Sequence, residues 1–265
     1  MLKQWAVKGI SLPLYQDIVV FLETSETKYL LGPSGDKAST SAYIKTELSA
    51  IAALGASTIT VDSITGFSSG NVIGVEQDNG VIHWTTVNGA PSGSTITLTA
   101  VTTAASAIDN HVYNALTGIV SRPTRVTAAR LKLENGSEVP VRVITRQEYF
   151  NYSNKTNSGK INAVYYDPQL TNGVIYTYLT ANSVADTLHL TIQRQIQDMD
   201  SSSDNLDLPP EWLLPVGYNL AALIGDDYGV DDGTMAKIQA KATQFYQEVE
   251  DADQEDSIQF VPYEN

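Results

Sequence analysis

The chain has 265 residues, 30 Asp and Glu against 16 Lys and Arg, and no cysteine. That length allows one large domain or two smaller ones, and 42% hydrophobic with 17% charged residues is a globular rather than a disordered composition. The missing cysteines exclude disulfides, thiolate metal sites and cysteine nucleophiles together.

The net charge of −14 is localised. Residues 1–197 carry 14 acidic and 14 basic side chains, whereas residues 198–265 carry 16 acidic ones against Lys237 and Lys241 alone. DNA binding by phosphate neutralisation needs clustered Lys and Arg, and the last quarter has the opposite. Its plainest use is a solvated acidic helical surface. No apolar run approaches the ~18–20 residues of a membrane-spanning helix. The start Met1-Leu2-Lys3-Gln4-Trp5 has no signal-peptide apolar core.

Residues 2–7 read as the last turns of a helix ended at Gly9, with its earlier turns missing or supplied by a partner. Residues 18–22 and 28–31 are β-type runs whose separation predicts a hairpin. Gly32-Pro33-Ser34-Gly35-Asp36 forces a turn. With Lys37-Ala38-Ser39 it superficially resembles a phosphate loop, but it lacks contiguous Gly-Lys-Ser/Thr and no helical pattern follows. From 56 to 115 the chain turns rich in Thr, Ser, Val, Ile and Gly, with runs at 58–62, 71–76, 81–87 and 94–100. Asn79-Gly80 and Asn88-Gly89 are hairpin turn pairs between them. This segment reads as a small antiparallel β-barrel or sandwich inserted into a larger body.

A second β-rich block runs from 119 to 195. Residues 125–133 and 139–144 form a hairpin about Glu134-Asn135-Gly136, and runs at 163–166, 174–179 and 187–194 add strands. Residues 148–160 lack a period and read as a long exposed loop, with Tyr149, Tyr152 and Lys155 as contact candidates. Tyr165, Tyr166, Tyr176 and Tyr178 follow; such rings suit an interface, or equally a sheet using its favoured aromatics. Arg122, Arg125, Arg130, Arg142 and Arg146 cluster here, and pair either within the chain or, for Arg122, Arg125 and Arg130 above all, with the acidic quarter of a neighbouring subunit.

The last quarter is helical in pattern. Asp207-Leu208-Pro209-Pro210-Glu211 is a helix start with a capping acid and early Pro. Trp212, Leu213, Val216, Leu220, Leu223 and Ile224 make an apolar stripe, and Pro215 kinks the helix or resets its first turn. A second helix from Asp232 repeats Met235, Ile238, Ala242, Phe245 and Val249 at spacings of three and four. Beyond Glu250 an acidic tail ends in Ile258-Gln259-Phe260-Val261-Pro262-Tyr263, which either docks on its own fold or inserts into another subunit.

No catalytic set emerges. His83, His111 and His189 each lie in or beside a strand with no second His at ligand spacing. Asp198-Met199-Asp200-Ser201-Ser202-Ser203-Asp204 has the alternating oxygens of a calcium loop, but no Gly at its sixth position and Pro209 at its twelfth, so it reads as an acidic linker. No glycosidase carboxylate pair stands out. The expectation is a protein without catalysis, cofactor or metal.

The stretches SRPTRV (121–126), RQEYFNYSNKTNSGK (146–160), VYYDPQLTNGVIYTY (164–178), QIQDMDSSSDNLDLPPEWLLPVGYNLAALIGDDYGV (195–230) and EDSIQFVP (255–262) together resemble the head-to-tail adaptor (connector) proteins of short-tailed bacteriophages. The resemblance covers 19–50 and 113–262, and rests on order and spacing. It implies an α+β fold, with a C-terminal helical-bundle part, a β-rich body and the inserted β-barrel or sandwich. The divisions expected are 1–55 (helix remnant and hairpin), 56–115 (insert), 116–197 (β-rich body), 198–250 (helical part) and 251–265 (extended tail). It also implies a virion structural protein, assembled in the host bacterial cytoplasm. That protein is a ring, commonly of twelve subunits, beneath the portal; it helps retain packaged DNA and receives a nozzle, stopper or fibre. Ile258, Phe260, Val261 and Tyr263, with Trp212, become candidates for the portal or inter-subunit interface. DNA passes an acidic lining without sequence-specific binding, and no membrane is involved. The family usually has further N-terminal helices, and its members do not all carry such an insert. The alternative is a β-rich receptor- or glycan-binding module of a phage tail or cell surface.

Overall fold

The computed structural model describes residues 14–40, 42–197, 201 and 204–252. The chain divides into two compact units, Gln16–Arg194 and a smaller one whose described part holds two long helices.

The larger unit opens with β1 (Tyr15–Phe21), β2 (Lys28–Leu31) and β3 (Ala38–Ser39). Six strands of the inserted region follow: β4 (Ile44–Glu47), β5 (Thr58–Thr60), β6 (Val72–Glu76), β7 (Ile82–Thr86), β8 (Thr95–Thr97) and β9 (His111–Asn114). The chain then makes β10 (Arg125–Lys132), β11 (Glu138–Val143), the short helix α1 (Arg146–Asn151) and β12 (Ser158–Gly159). The unit ends with β13 (Ala163–Asp167), β14 (Gly173–Tyr178), β15 (Thr180–Ala181) and β16 (Thr187–Gln193).

Eight of these strands form one sheet in the order β2-β14-β13-β11-β10-β16-β1-β3. Its two edges, β2 and β3, are joined by residues 32–37 only. A flat sheet would hold those edges about 34 Å apart, at ~4.8 Å per strand spacing, whereas that link reaches at most about 25 Å. The sheet therefore curls into a nearly closed barrel. Alternation fills it: Ile18 and Val20 from β1, Leu22 just after it, and Leu188, Leu190 and Ile192 from β16 point inward beside Leu131, Val164 and Ile175.

The α+β class with a helical-bundle part is corrected. Strands hold 34% of residues and helices 18%, and the described residues contain three α-helices and no helical bundle. The period-3.6 pattern after 207 is real but makes one helix pair, while the mass of the chain lies in sheets.

The predicted hairpin of 18–22 with 28–31 is corrected as well. Both runs are strands, but β1 lies between β16 and β3, and β2 pairs with β14. The connection lacks a two-residue hairpin turn and is tied elsewhere: Thr24 N–H donates to Gly80 O (3.1 Å), and the Glu23 N–H donates to the Tyr29 hydroxyl (3.0 Å).

A second sheet has the order β4-β9-β6-β7, with β5–β8 as a separate pair. Ile59, Val61, Ile73, Val75, Ile96, Leu98 and Val112 fill its own core. Because Ile44 to Glu47 pair in register with Asn114 to His111, this sheet reaches back to Ile44 rather than starting at 56. A third cluster of Phe21, Ile82, Tyr113, Ala115 and Val184 fastens it to the barrel, and the Tyr113 hydroxyl donates to Val184 O (2.9 Å).

Residues 148–160 are not a simple exposed loop. Thr145 and Glu148 form a reciprocal capping box that starts α1, whose Tyr149 is buried. In the smaller unit a 3-10 turn, Pro210–Trp212, leads into α2 (Leu213–Ile224), and α3 (Asp232–Ala252) runs back against it. Asp207 is not the cap expected there; its carboxylate accepts from Gln197 N–H (3.0 Å). Pro215 falls in the first turn of α2, where its missing N–H costs no helical hydrogen bond.

Candidate interaction surfaces

β13 and β14 place Tyr165 directly opposite Tyr176, on the face of the sheet away from Val164 and Ile175. α1 lies over that face: Tyr149 packs 5.9 Å from Tyr165 and 5.5 Å from Tyr176, centroid to centroid. Tyr152 stacks on Tyr178 at 4.1 Å, and the Lys155 ammonium sits 5.1 Å over the Tyr149 ring. Of the three predicted contact residues, Tyr149 is therefore interior, and Tyr152 and Lys155 are half-buried against it. The tyrosines serve packing between a helix and a sheet, and the arginines frame them. Arg142 donates to the Tyr152 hydroxyl (2.7 Å), while Arg146 donates to the Tyr165 hydroxyl (2.8 Å) and pairs with Asp167 (2.8 Å).

The other arginines have partners within the chain. Arg130 bridges Glu138 (3.1 Å) and Asp17 (3.5 Å). Arg122 hydrogen-bonds the Tyr166 hydroxyl, whose pKa burial pushes up to about 12 against the lowering pull of that guanidinium. Arg125 is exposed at the start of β10 and has a partner of its own.

In the smaller unit the predicted stripe of α2 splits in two. Trp212 is buried against Val216, Tyr246 and Val249, so it belongs to the core between the helices rather than to an open surface. Asn219 locks the pair by donating to Pro215 O (2.9 Å) and Ala242 O (3.1 Å). α3 turns its Ala242, Phe245 and Val249 inward and so uses its apolar residues on α2. Along α2, Leu213, Leu220 and Leu223 share one side and stay 46–64% exposed, Leu214 is 59% exposed on another side, and Tyr228 beyond the helix is 81% exposed. Ile258, Phe260, Val261 and Tyr263 lie outside the described residues.

The histidines differ from one another. His83 is half-buried in β7, its Nε2 3.3 Å from Ala100 O. His189 is buried in β16 beside Thr187, and burial followed by the nearby charges of Arg130 and Lys132 holds its pKa below the usual value. His111, also buried, stands among carboxylates: Nδ1 is 2.5 Å from Glu76 Oε2, and Nε2 is 3.2 Å from Glu134 Oε1 and 3.7 Å from Glu47 Oε1. Glu47, His111 and Glu134 offer ligand atoms all within 4.8 Å of one another. Sequence spacing alone passes over this group, because its members come from β4, β9 and the turn after β10, and only the fold joins them. The pattern that could have found it is a Glu as the last residue of β4 and of β6 with a His as the first residue of β9, which antiparallel pairing brings to one end of the sheet.

For a glycan- or receptor-binding reading, the nearest feature is a pocket of about 410 Å³ where Phe21, Tyr29 and Trp84 meet Glu23, Glu26 and Asp36. No helix among the described residues is long and apolar enough to cross a membrane. Compared with family models, with curated proteins and with solved structures, the chain matches none.

Proposed function

We propose that this protein is a virion structural protein, a head-to-tail adaptor whose subunits form a ring beneath the portal and receive the next tail component. The observation that carries the reading is the uncovered side of α2. A helix pair has little core of its own, and Leu213, Leu220 and Leu223, left about half exposed on one side of the helix, forgo about 1 kcal/mol each of burial. A neighbouring copy in a ring covers that face and recovers the difference. The acidic character of residues 198–265 supports the same reading, since a ring concentrates negative charge around one zone and lets DNA pass without adhering. In the larger unit Tyr149, Tyr165, Tyr176, Arg142 and Arg146 are engaged with one another or with neighbouring side chains; its proposed part in the ring is that of a spacer.

A double variant, Leu220→Asp with Leu223→Asp, tests the interface directly. Both side chains are already exposed, so the melting temperature of the isolated subunit stays within about one or two degrees of the parent. The ring formed on the portal is lost. A double variant that assembles as the parent does would remove α2 as the inter-subunit surface and with it the basis of the reading.

A further inference from the structure

The group around His111 has a geometry that the packing of the larger unit does not require. In the second sheet β9 lies between β4 and β6, and the register sets Glu47 opposite His111 on one side while Glu76 flanks it on the other. Three adjacent strands thus present Glu, His and Glu in one row. The fourth member arrives from the barrel: Glu134 opens the β10–β11 turn, which Gly136 closes at φ 84°, and its N–H donates to Asp186 (3.0 Å).

Glu76 settles the imidazole's orientation. It accepts from the His111 backbone N–H (2.9 Å) and contacts Nδ1, so Nδ1 carries the donated proton and Nε2 is left to face Glu134 and Glu47. In the neutral ring that nitrogen is a lone pair aimed at two carboxylate oxygens, three acceptors with nothing shared between them. A proton on Nε2 would satisfy one oxygen and leave three carboxylates around a single positive charge. A divalent cation satisfies all three acceptors at once. The 3.2 Å from Nε2 to Glu134 Oε1 is close to the edge of about 3.3–3.4 Å that a tetrahedral zinc site with bonds near 2.0–2.1 Å requires, and Glu47 at 3.7 Å needs to close by only about half an ångström. A carboxylate on the far ring nitrogen is the usual outer partner of a metal-bound histidine.

We propose that Glu47, His111 Nε2 and Glu134 bind a divalent cation of the zinc class, with Glu76 as the residue that orients the imidazole. One imidazole with two carboxylates favours zinc over calcium, which takes six to eight oxygens. Because Glu47 and His111 belong to the second sheet and Glu134 to the barrel, the ion is a clasp between the two sheets of the larger unit, holding the insert at a fixed angle to the body.

The test is calorimetric titration of the full-length, chelator-stripped protein with zinc chloride, with melting curves recorded alongside. One ion binds per chain, and the melting temperature rises with zinc concentration as linkage requires. Glu134→Gln removes a ligand at an exposed turn and leaves the fold intact, so its metal-free melting curve matches the parent while zinc affinity falls at least about tenfold; Glu47→Gln does the same. Glu76→Gln weakens binding by about 10–100-fold, the range for lost outer partners. Glu26→Gln, an exposed carboxylate outside the group, binds as the parent does. Absence of saturable one-to-one binding overturns the proposal. Parental affinity in Glu134→Gln and Glu47→Gln overturns it equally.

Discussion

Glu23 follows β1 by two residues, its carboxylate half-buried beside Phe21 and Trp84 and accepting from Ile82 N–H at 3.2 Å. Burial pushes its pKa up, the Ile82 hydrogen bond opposes that, and like charge from Glu26 and Asp36 adds to it. A folded-state value above the unfolded one means the folded chain binds the proton more tightly. The stability this gives is fully present below the ordinary carboxylate pKa and is lost as pH rises through the raised one. Glu23→Gln keeps an acceptor for Ile82 and removes the charge, so its melting temperature exceeds the parent's by ~1–2 °C at pH 7 and matches it near pH 4; a parent that melts higher at pH 7 would show that the charged form is favoured there. His189 acts with the opposite sign. Its pKa is depressed by burial, so its contribution is present above the ordinary histidine value and is lost as pH falls through the lowered one. Neither environment was legible in the sequence, where Glu23 is a loop residue and His189 one of three isolated histidines. Desolvation is set by what other strands bring alongside, and no local pattern records that.

At the scale of elements, α1 shows a local signal that composition concealed. Thr145-Arg146-Gln147-Glu148 is a capping-box sequence, and the box is formed: the Thr145 hydroxyl faces Glu148 N–H (3.3 Å) and the Glu148 carboxylate accepts from Thr145 N–H (2.8 Å). The asparagines and tyrosines that follow argued for a loop, yet one turn and a half of helix suffices to seat Tyr149 on the β13–β14 face. Thr145→Ala costs about 1 kcal/mol and lowers the urea midpoint of the larger unit, while Thr145→Ser retains it; equal loss in both variants would assign the effect to the methyl group instead of the cap. Most of the longer strands were marked by alternation and by Asn-Gly turns, since those depend on near neighbours, whereas β4 and β9 carried no such mark. Partner choice was not marked. The pairing of β2 with β14 spans well over a hundred residues, and the hairpin expected between β1 and β2 was the natural guess because the local pattern is the same whichever strand comes alongside. The helices at 213–224 and 232–252 were legible from their period, but the burial of Trp212 and the exposure of Leu220 and Leu223 depend on which stripe α3 meets.

The whole molecule combines a curled eight-stranded sheet, a second sheet fastened to it by aromatic packing, and an acidic helix pair with an uncovered face. Location of charge was available from the residues alone: a balanced body and a last quarter holding the entire excess of −14. Architecture was available only in part, because closure of a sheet depends on the joining of β2 to β3 across its edges, and the insert's boundary moved once β4 was seen to pair with β9. The two units divide the proposed work. The larger offers a stiff body with little exposed chemistry, and the smaller carries both the apolar face and the charge. Mixing the purified chain with the portal protein that the proposed adaptor role requires, and imaging the product by electron cryomicroscopy, tests that proposal most directly. A closed ring of copies seated on the portal, with α2 buried between neighbours, is the expected result; a chain that stays monomeric at 28.7 kDa and leaves the portal bare would contradict it.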